Sequence, residues 1–328
     1  MGLDVRLFRN LDFTLDAFLD KRTGIVTQDY MMVSTYGIEP PYRNIGKVTN
    51  KGFEAKLVYC NNICKFNYYL TGLVTYNSNK IDYMSEVITS AAAARTGKSI
   101  SSLFGYVADG FYDISDFDSH GNLKDGLPIP TLGTVQPGDI KYKNMNGDNI
   151  IDENDQVKIG NPVMPECVYS LGFGGDIKGV DFKVLFQGTS GRDVNLLDAP
   201  LQSIAFRNNG NVYKIAEDRW AYYPELGIDT RSYARYPRLS TQDNNNNYVN
   251  STLWKRNGDY LKLRNVEIGY SLPSKWLHGM GITHTRIFLQ GINLLTISDL
   301  MKDYDMDPEV LSGYSAMKSY NIGITVNF

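Results

Sequence analysis

KFNYYLTGLVTY, Lys65–Tyr76, decides how the rest of the chain is read. As an extended strand it carries Phe66, Tyr68, Leu70, Gly72, Val74 and Tyr76 on one face and Asn67, Tyr69, Thr71, Leu73 and Thr75 on the other. Successive side chains of a strand point to opposite faces, so the segment is an apolar stripe with aromatic rings at both ends. A barrel strand that crosses a bilayer has this form and needs only about ten residues. VDFKVLFQG, Val180–Gly188, repeats it, with Val180, Phe182, Val184 and Phe186 against Asp181, Lys183 and Gln187. A strand of a soluble β-sandwich alternates in the same way, so each segment alone leaves both architectures open.

Working outward, such segments come in pairs. LDVRLFRN and LDFTLDAFLD flank a polar turn at Arg9–Asn10, GFEAKLVYC and KFNYYLTGLVTY flank NNI, and CVYSLGFGGDI and DFKVLFQG flank KGV. These are successive up-and-down hairpins. The other connections are long and rich in Asn, Gly, Asp and Pro, at about 77–165 and 190–255. A compact sandwich rarely carries such loops, whereas outer-membrane barrels combine short periplasmic turns with long extracellular loops. Within them, SEVITSAAAARTG and NVYKIAEDRWAYY are predicted to form short helices.

Composition narrows the classes. The 328 residues are 42% hydrophobic and 21% charged, as in a folded protein. A formal net charge of -3 gives no basic surplus for a phosphate backbone, so no nucleic-acid partner is expected. No window approaches the apolar length of a membrane-spanning helix, and Met1 is not followed by a signal-peptide core. Mean hydropathy of -0.30 does not bear on a barrel, because alternating strands average low. The 23 Tyr outnumber Phe, Trp and His together, which suits an interfacial aromatic belt or a Tyr-rich binding surface. The last strand, Ser319–Phe328, reads SYNIGITVNF, with Tyr320, Ile322, Ile324, Val326 and Phe328 on one face. A terminal Phe on such a strand matches the assembly signal of outer-membrane barrels.

NMNGDNIIDEND, 144–155, sets oxygen-bearing groups at alternate positions: Asn144, Asn146 and Asp148, the Ile150 carbonyl, Asp152 and Asp155. The spacing is that of a calcium loop, because a tight turn aims alternate side chains at one centre. Asn149 stands at the glycine position, where Asn best tolerates left-handed backbone. Ca2+ held at about 10⁻⁴–10⁻³ M is the expectation, and an ion-free Asx-rich turn the alternative. RTGKS, Arg95–Ser99, lacks the first glycine and the preceding strand of a P-loop. His120, His278 and His284 lie in turn or strand-start contexts without a nucleophile motif, and no catalytic constellation is found. Cys60 and Cys64 bracket NNI as either a hairpin disulfide or free thiols, Cys167 stands apart, and the spacing is poor for zinc. Trp220, Tyr222, Tyr223, Tyr233, Tyr236 and Trp254 fall in the long loops, where their rings stack on sugars, dock a partner or pack on their neighbours.

Several collinear segments together carry a family resemblance. NIGKVTNKGFEAKL (Asn44–Leu57), GDIKYKNMNGDNIIDENDQVKIGNPVMPECVYSLGFG (Gly138–Gly174), NNNNYVNSTLWKRNGDYLKLRNVEIGYSLP (Asn244–Pro273), DMDPE (Asp305–Glu309) and the closing YNIGITVNF resemble the C-terminal part of SusC/RagA-type TonB-dependent outer-membrane transporters of Bacteroidetes. The resemblance implies an all-β fold: an antiparallel transmembrane β-barrel of about 22 strands around an N-terminal plug, of which this chain supplies the C-terminal part, about 10–11 strands over residues 1–328. No plug domain, TonB box or export signal precedes Met1, and an open sheet edge in lipid leaves backbone groups unpaired, so the sequence reads as a fragment or as the product of a split or incompletely assembled gene. It also implies nutrient import across the outer membrane, of oligosaccharides or peptides, with a SusD-like surface lipoprotein as lid and TonB-ExbB-ExbD acting through the plug. In that setting a calcium loop would brace an extracellular landing surface, and a Cys60–Cys64 bridge would sit at the periplasmic rim. A secreted β-rich, calcium-braced binding module is the other reading.

Overall fold

The computed structural model describes residues 1–31, 37, 39–88, 91–199, 212–242, 244–277 and 281–328. Alternating sequence becomes one antiparallel sheet of nine strands: β1 (Gly2–Leu7), β2 (Leu11–Gln28), β3 (Tyr42–Ile63), β4 (Phe66–Tyr83), β5 (Cys167–Ile177), β6 (Val180–Ser190), β7 (Tyr260–Ser271), β8 (His284–Ile297) and β9 (Ser319–Asn327). Their spatial order is their sequence order, β1 through β9, so the sheet is a pure meander. Among the described residues the sheet has nine strands where 10–11 were expected, because other extended pieces of the long loops form only short ladders of their own, such as Ser102–Gly105 with Val157–Pro162 and Asp193–Asn195 with Lys255–Asn257.

The register gives the two faces different chemistry. Leu171 pairs with Gly72 and Phe186, and Phe173 with Leu70 and Val184. The row continues through Val266 and Gly291 to Tyr320, and a parallel row runs from Phe182 through Ile268 and Leu289 to Ile322. These apolar side chains are open to the surroundings, Ile268 and Leu289 being 51% and 53% exposed. The opposite face sets Lys183, Glu267, Gln290 and Asn321 side by side on four strands. Arg286 bridges the carboxylates of Asp181 and Glu267 there. A sheet apolar on one exposed face and ionic on the other is built for hydrocarbon outside and a polar lumen inside. Phe66, Tyr68, Phe173 and Phe182 cluster near one end of the apolar face, and Phe53 meets Tyr76 at 5.9 Å near the other. From Phe66 to Tyr76, ten steps at about 3.4 Å and a tilt of roughly 40° span about 26 Å, close to the apolar band of barrel proteins.

The rims are unequal. On one, connections are residues 8–10, 64–65, 178–179 and 272–283, the last including α1 (Ser274–Leu277). Lys178 and Gly179 both have positive φ (49° and 87°), the two-residue turn whose twist matches antiparallel strands. The other rim carries 29–41, 84–166, 191–259 and 298–318. The first long loop begins after Tyr83 and not at 77, because β3 and β4 stay paired as far as Lys47 with Tyr83. Backbone pairing does not require the apolar stripe that ends at Tyr76. Of the two predicted helices, one forms as a short 3₁₀ helix at Lys214–Asp218, and 91–97 forms turns, with residues 89 and 90 outside the described set. His278 also lies outside it.

Cys60 sits opposite Tyr69, and the turn is Cys64–Lys65, one step beyond the expected NNI. Cys60 and Cys64 therefore lie along the same strand end, roughly 13 Å apart at strand rise, beyond the reach of a disulfide. All three cysteines are free, which corrects the disulfide option.

Candidate functional site

The long loops fold on one another into a cap with its own core. Tyr106, Ile140, Tyr142, Ile151, Val194, Leu196, Tyr236, Trp254 and Leu300 are buried together, the last from α2 (Asp299–Tyr304). Three of the segments that carry the resemblance, Gly138–Gly174, Asn244–Pro273 and Asp305–Glu309, meet here. The Asn247 amide accepts from Ile140 N (2.8 Å) through Oδ1 and donates to Asp139 Oδ1 (2.9 Å) through Nδ2. Asn246 Nδ2 donates to the Ile140 carbonyl (2.8 Å), and the Tyr142 hydroxyl donates to the Asn246 carbonyl (2.7 Å). The Trp254 indole closes the set on the Asn247 carbonyl at 2.7 Å. Burial pushes the Tyr142 hydroxyl far above its ordinary pKa, keeping it a neutral donor at all working pH. Thus NNNN reads the backbone of GDIKY as a strand partner would, and one long loop is clasped to the other.

A second junction ties the cap to the barrel wall. Lys262 of β7, 1% exposed, holds Asp307 Oδ1 and Glu309 Oε2 at 2.7 Å each, both from DMDPE. Tyr260 donates to Glu309 Oε1 at 2.6 Å, and Arg264 donates to the same oxygen. Burial alone would push the Glu309 carboxyl up, but hydrogen bonds from Arg264, Lys262 and Tyr260 outweigh it and hold it at about 2.

Burial corrects part of the aromatic expectation. Trp254 is fully enclosed, and Tyr236 and Trp220 are buried, so these three rings pack the cap and offer no face to a sugar or a partner. Trp254 stacks on Tyr248 at 6.2 Å and lies against Tyr236 at 6.1 Å. Tyr222 is half-buried under the Arg231 guanidinium at 4.0 Å, while Tyr223 and Tyr233 are exposed.

The oxygen-rich loop is closed by its own amides. Asn149 has the expected positive φ (66°). Asn144 Oδ1 accepts from Gly147 N, Asp148 Oδ1 from Ile150 N, and Asp152 Oδ1 from Asn154 N. The buried Asp155 carboxylate accepts from Met145 N at 2.6 Å and Asp152 N at 3.0 Å. Among the described residues no three His, Cys, Asp or Glu side chains converge as a metal-holding group. Within the donor set Asn144, Asn146, Asp148, Ile150, Asp152 and Asp155, the side-chain oxygens of the Asn and Asp residues accept from amides of the loop itself, as in an Asx-rich turn.

Two adjoining cavities open beside this loop, of about 690 and 610 Å³, sharing Glu153 and Gln156. Tyr106, Asp152, Tyr248 and Asn250 line the first, and Tyr30, Glu86, Arg95 and Phe104 the second. Flat rings, amides and carboxylates converge there, a surface suited to a polar, hydrogen-bonding ligand. Sequence reading missed these residues: Tyr106 and Tyr248 have no motif, and Glu153 falls between the alternate positions of the loop pattern.

One-sided apolar strands, a polar inner face, short turns on one rim and a folded cap on the other define a segment of barrel wall of outer-membrane type. No family model matches the chain. It is 26% identical over 321 residues to TonB-dependent receptor P26 of Formosa agariphila, across 94% of this chain, and 25% identical to TonB-dependent receptor P3 of the same organism, across 91%. It spans about 30% of the length of P26 and 29% of P3. The RagAB peptide importer in its 'closed-closed' state superposes on all of the chain with a TM-score of 0.67 at 19% identity, over 35% of the importer chain, and the 'open-open' state over 98% with a TM-score of 0.66. The likeness to SusC/RagA-type TonB-dependent receptors read in the sequence thus holds over nearly the whole chain, and the fold is all-β barrel wall. The relatives carry the names of receptors and importers, not of enzymes.

Proposed function

We propose that this chain works as the C-terminal portion of an outer-membrane TonB-dependent importer in a Gram-negative, Bacteroidetes-like cell. The observation that carries the reading is the single apolar face that runs in register across all nine strands beneath a cap on one rim only. Similarity to TonB-dependent receptors over nearly the full chain supports it. In this reading the open edges of β1 and β9 pair with the rest of a longer receptor, since lipid leaves no water for their backbone groups. The cap faces the outside, and its twin cavities pass cargo inward; oligosaccharide and peptide both match their rings, amides and carboxylates. The cap is also the surface for a SusD-like lipoprotein, with Tyr222 and Tyr223 among the accessible rings, and TonB-ExbB-ExbD drives release through a plug contributed by the remainder of the receptor.

The test is a blot of fractionated membranes with an antibody to Ser319–Phe328. A band in the outer membrane several-fold heavier than the 36.9 kDa of this chain is expected. A 36.9 kDa band confined to the soluble fraction would defeat the reading and favour the secreted binding module.

A further inference from the structure

The oxygen-rich loop contains Asn146–Gly147, and we propose that this pair is a site of spontaneous, one-way deamidation, selected over Asn257–Gly258 by the fold. In this reaction the Gly147 backbone nitrogen, losing its proton to hydroxide, attacks the Asn146 Cγ. The C–N bond that forms closes a five-membered succinimide, and the side-chain nitrogen leaves as ammonia. Water then opens the ring to aspartate or isoaspartate, with no oxidant or reductant needed.

Both pairs share the electronic prerequisite. Asp148 N donates to Asn146 Oδ1 at 3.0 Å, and Asp259 N donates to Asn257 Oδ1 at 2.9 Å, so each amide carbon is polarised alike. They differ in room and backbone freedom. A Cβ on Gly147 would meet no atom within 4 Å, and Asn146 is exposed in an irregular loop. Gly258 is packed against Val194 and Arg192, where a Cβ would come to 2.9–3.0 Å, and Asn257 is held in a ladder opposite Asp193. Ring closure requires the backbone at the Asn–Gly link to rotate, which the ladder forbids and the loop permits. The remaining restraint at Gly147 is its own N–H, donated to Asn144 Oδ1 at 2.6 Å. Asn209–Gly210, the third such pair, lies outside the described residues.

The product alters the loop. Asn146 Nδ2 now donates to Asp148 Oδ2 at 2.8 Å; a carboxylate oxygen in its place faces another carboxylate, and that edge of the loop is pushed open. This inference is independent of the transport reading, because it needs only the folded cap.

The experiment incubates the full chain, folded in detergent micelles, at mildly alkaline pH and follows the mass gain of about 1 Da per site by peptide mass spectrometry, with the chain in denaturant as reference. In denaturant both pairs are expected to convert at similar rates. In the folded chain Asn146 is expected to convert an order of magnitude faster than Asn257, and Asn144→Ala, which frees the Gly147 N–H, to speed Asn146 further. Equal rates at the two sites in the folded chain, or an Asn146 as protected as Asn257, would overturn the proposal.

Discussion

Replacing Lys262 with Met tests whether the cap is latched to the wall by charge. Lys262 is 1% exposed and its ammonium lies 2.7 Å from both Asp307 and Glu309. Met keeps the stem and its packing but leaves the carboxylates without their shared cation. Removing one partner of a buried pair costs about 3–5 kcal/mol. Glu309 retains Arg264 and Tyr260, and Asp307 retains Glu309 N at 2.9 Å and Ala316 N at 3.3 Å, so the lower end, about 3 kcal/mol, is expected. At about 1.4 kcal/mol per tenfold, this raises the undocked fraction of loop 298–318 by roughly two orders of magnitude. Trypsin reads that fraction at the exposed Lys302 and Lys318 when opening is fast relative to cleavage. Lys262→Met/Asp307→Leu, which removes both buried charges, is expected to return most of the protection. Cleavage of the single variant at the wild-type rate, or of the double variant as fast as the single, would refute the latch.

Acid should loosen the same junction: with Glu309 held at about 2, below the ordinary Glu range, its contribution is complete above about pH 5 and is lost as pH falls towards 2, so pepsin cleavage of loop 298–318 should rise across that interval. Gly138→Ala should destabilise the cap by about 1–3 kcal/mol, because Gly138 has φ of +90° and a Cβ there would lie 2.5 Å from the Trp220 ring; a melt monitored by near-ultraviolet circular dichroism would detect it, and an unchanged melt would contradict the packing. Leu171→Arg, in the middle of the apolar face, is expected to cost about 2–4 kcal/mol in folding into bilayers, whereas Thr71→Arg on the polar face costs far less; similar losses would remove the lipid-facing assignment. Adding millimolar calcium or a chelator should leave the melting temperature within about 1 °C, since the loop carboxylates are engaged by amides. A rise of several degrees with calcium would mean that they re-aim onto the ion.

The barrel wall was legible because bilayer and lumen impose a period of two: Phe66 to Tyr76 and Val180 to Phe186 lie on the face their alternation predicted, and the Lys178–Gly179 turn falls where the pattern breaks. The cap was not. Its loops are polar on average, and nothing local distinguishes a Trp that stacks on cargo from one, like Trp254, that fills a core drawn from segments a hundred residues apart. Nor did spacing alone announce that the buried Asp155 carboxylate caps two backbone amides of its own loop. The clasp between Asn246, Asn247 and Ile140 rests on a long-range pairing that amide side chains do not announce.

The cap's private core also bears on how the wall is assembled. β4 must find β5 across residues 84–166, and β6 must find β7 across 191–259. Closing a loop of roughly 80 residues costs about 3 kcal/mol more in chain entropy than closing a two-residue turn. A folded cap, with ladders and a buried cluster of its own, holds those strand ends near one another and would lower that cost. The outer loops then act as an internal template: a lesion at Trp254 or Gly138, far from the bilayer, is expected to slow insertion of the wall itself.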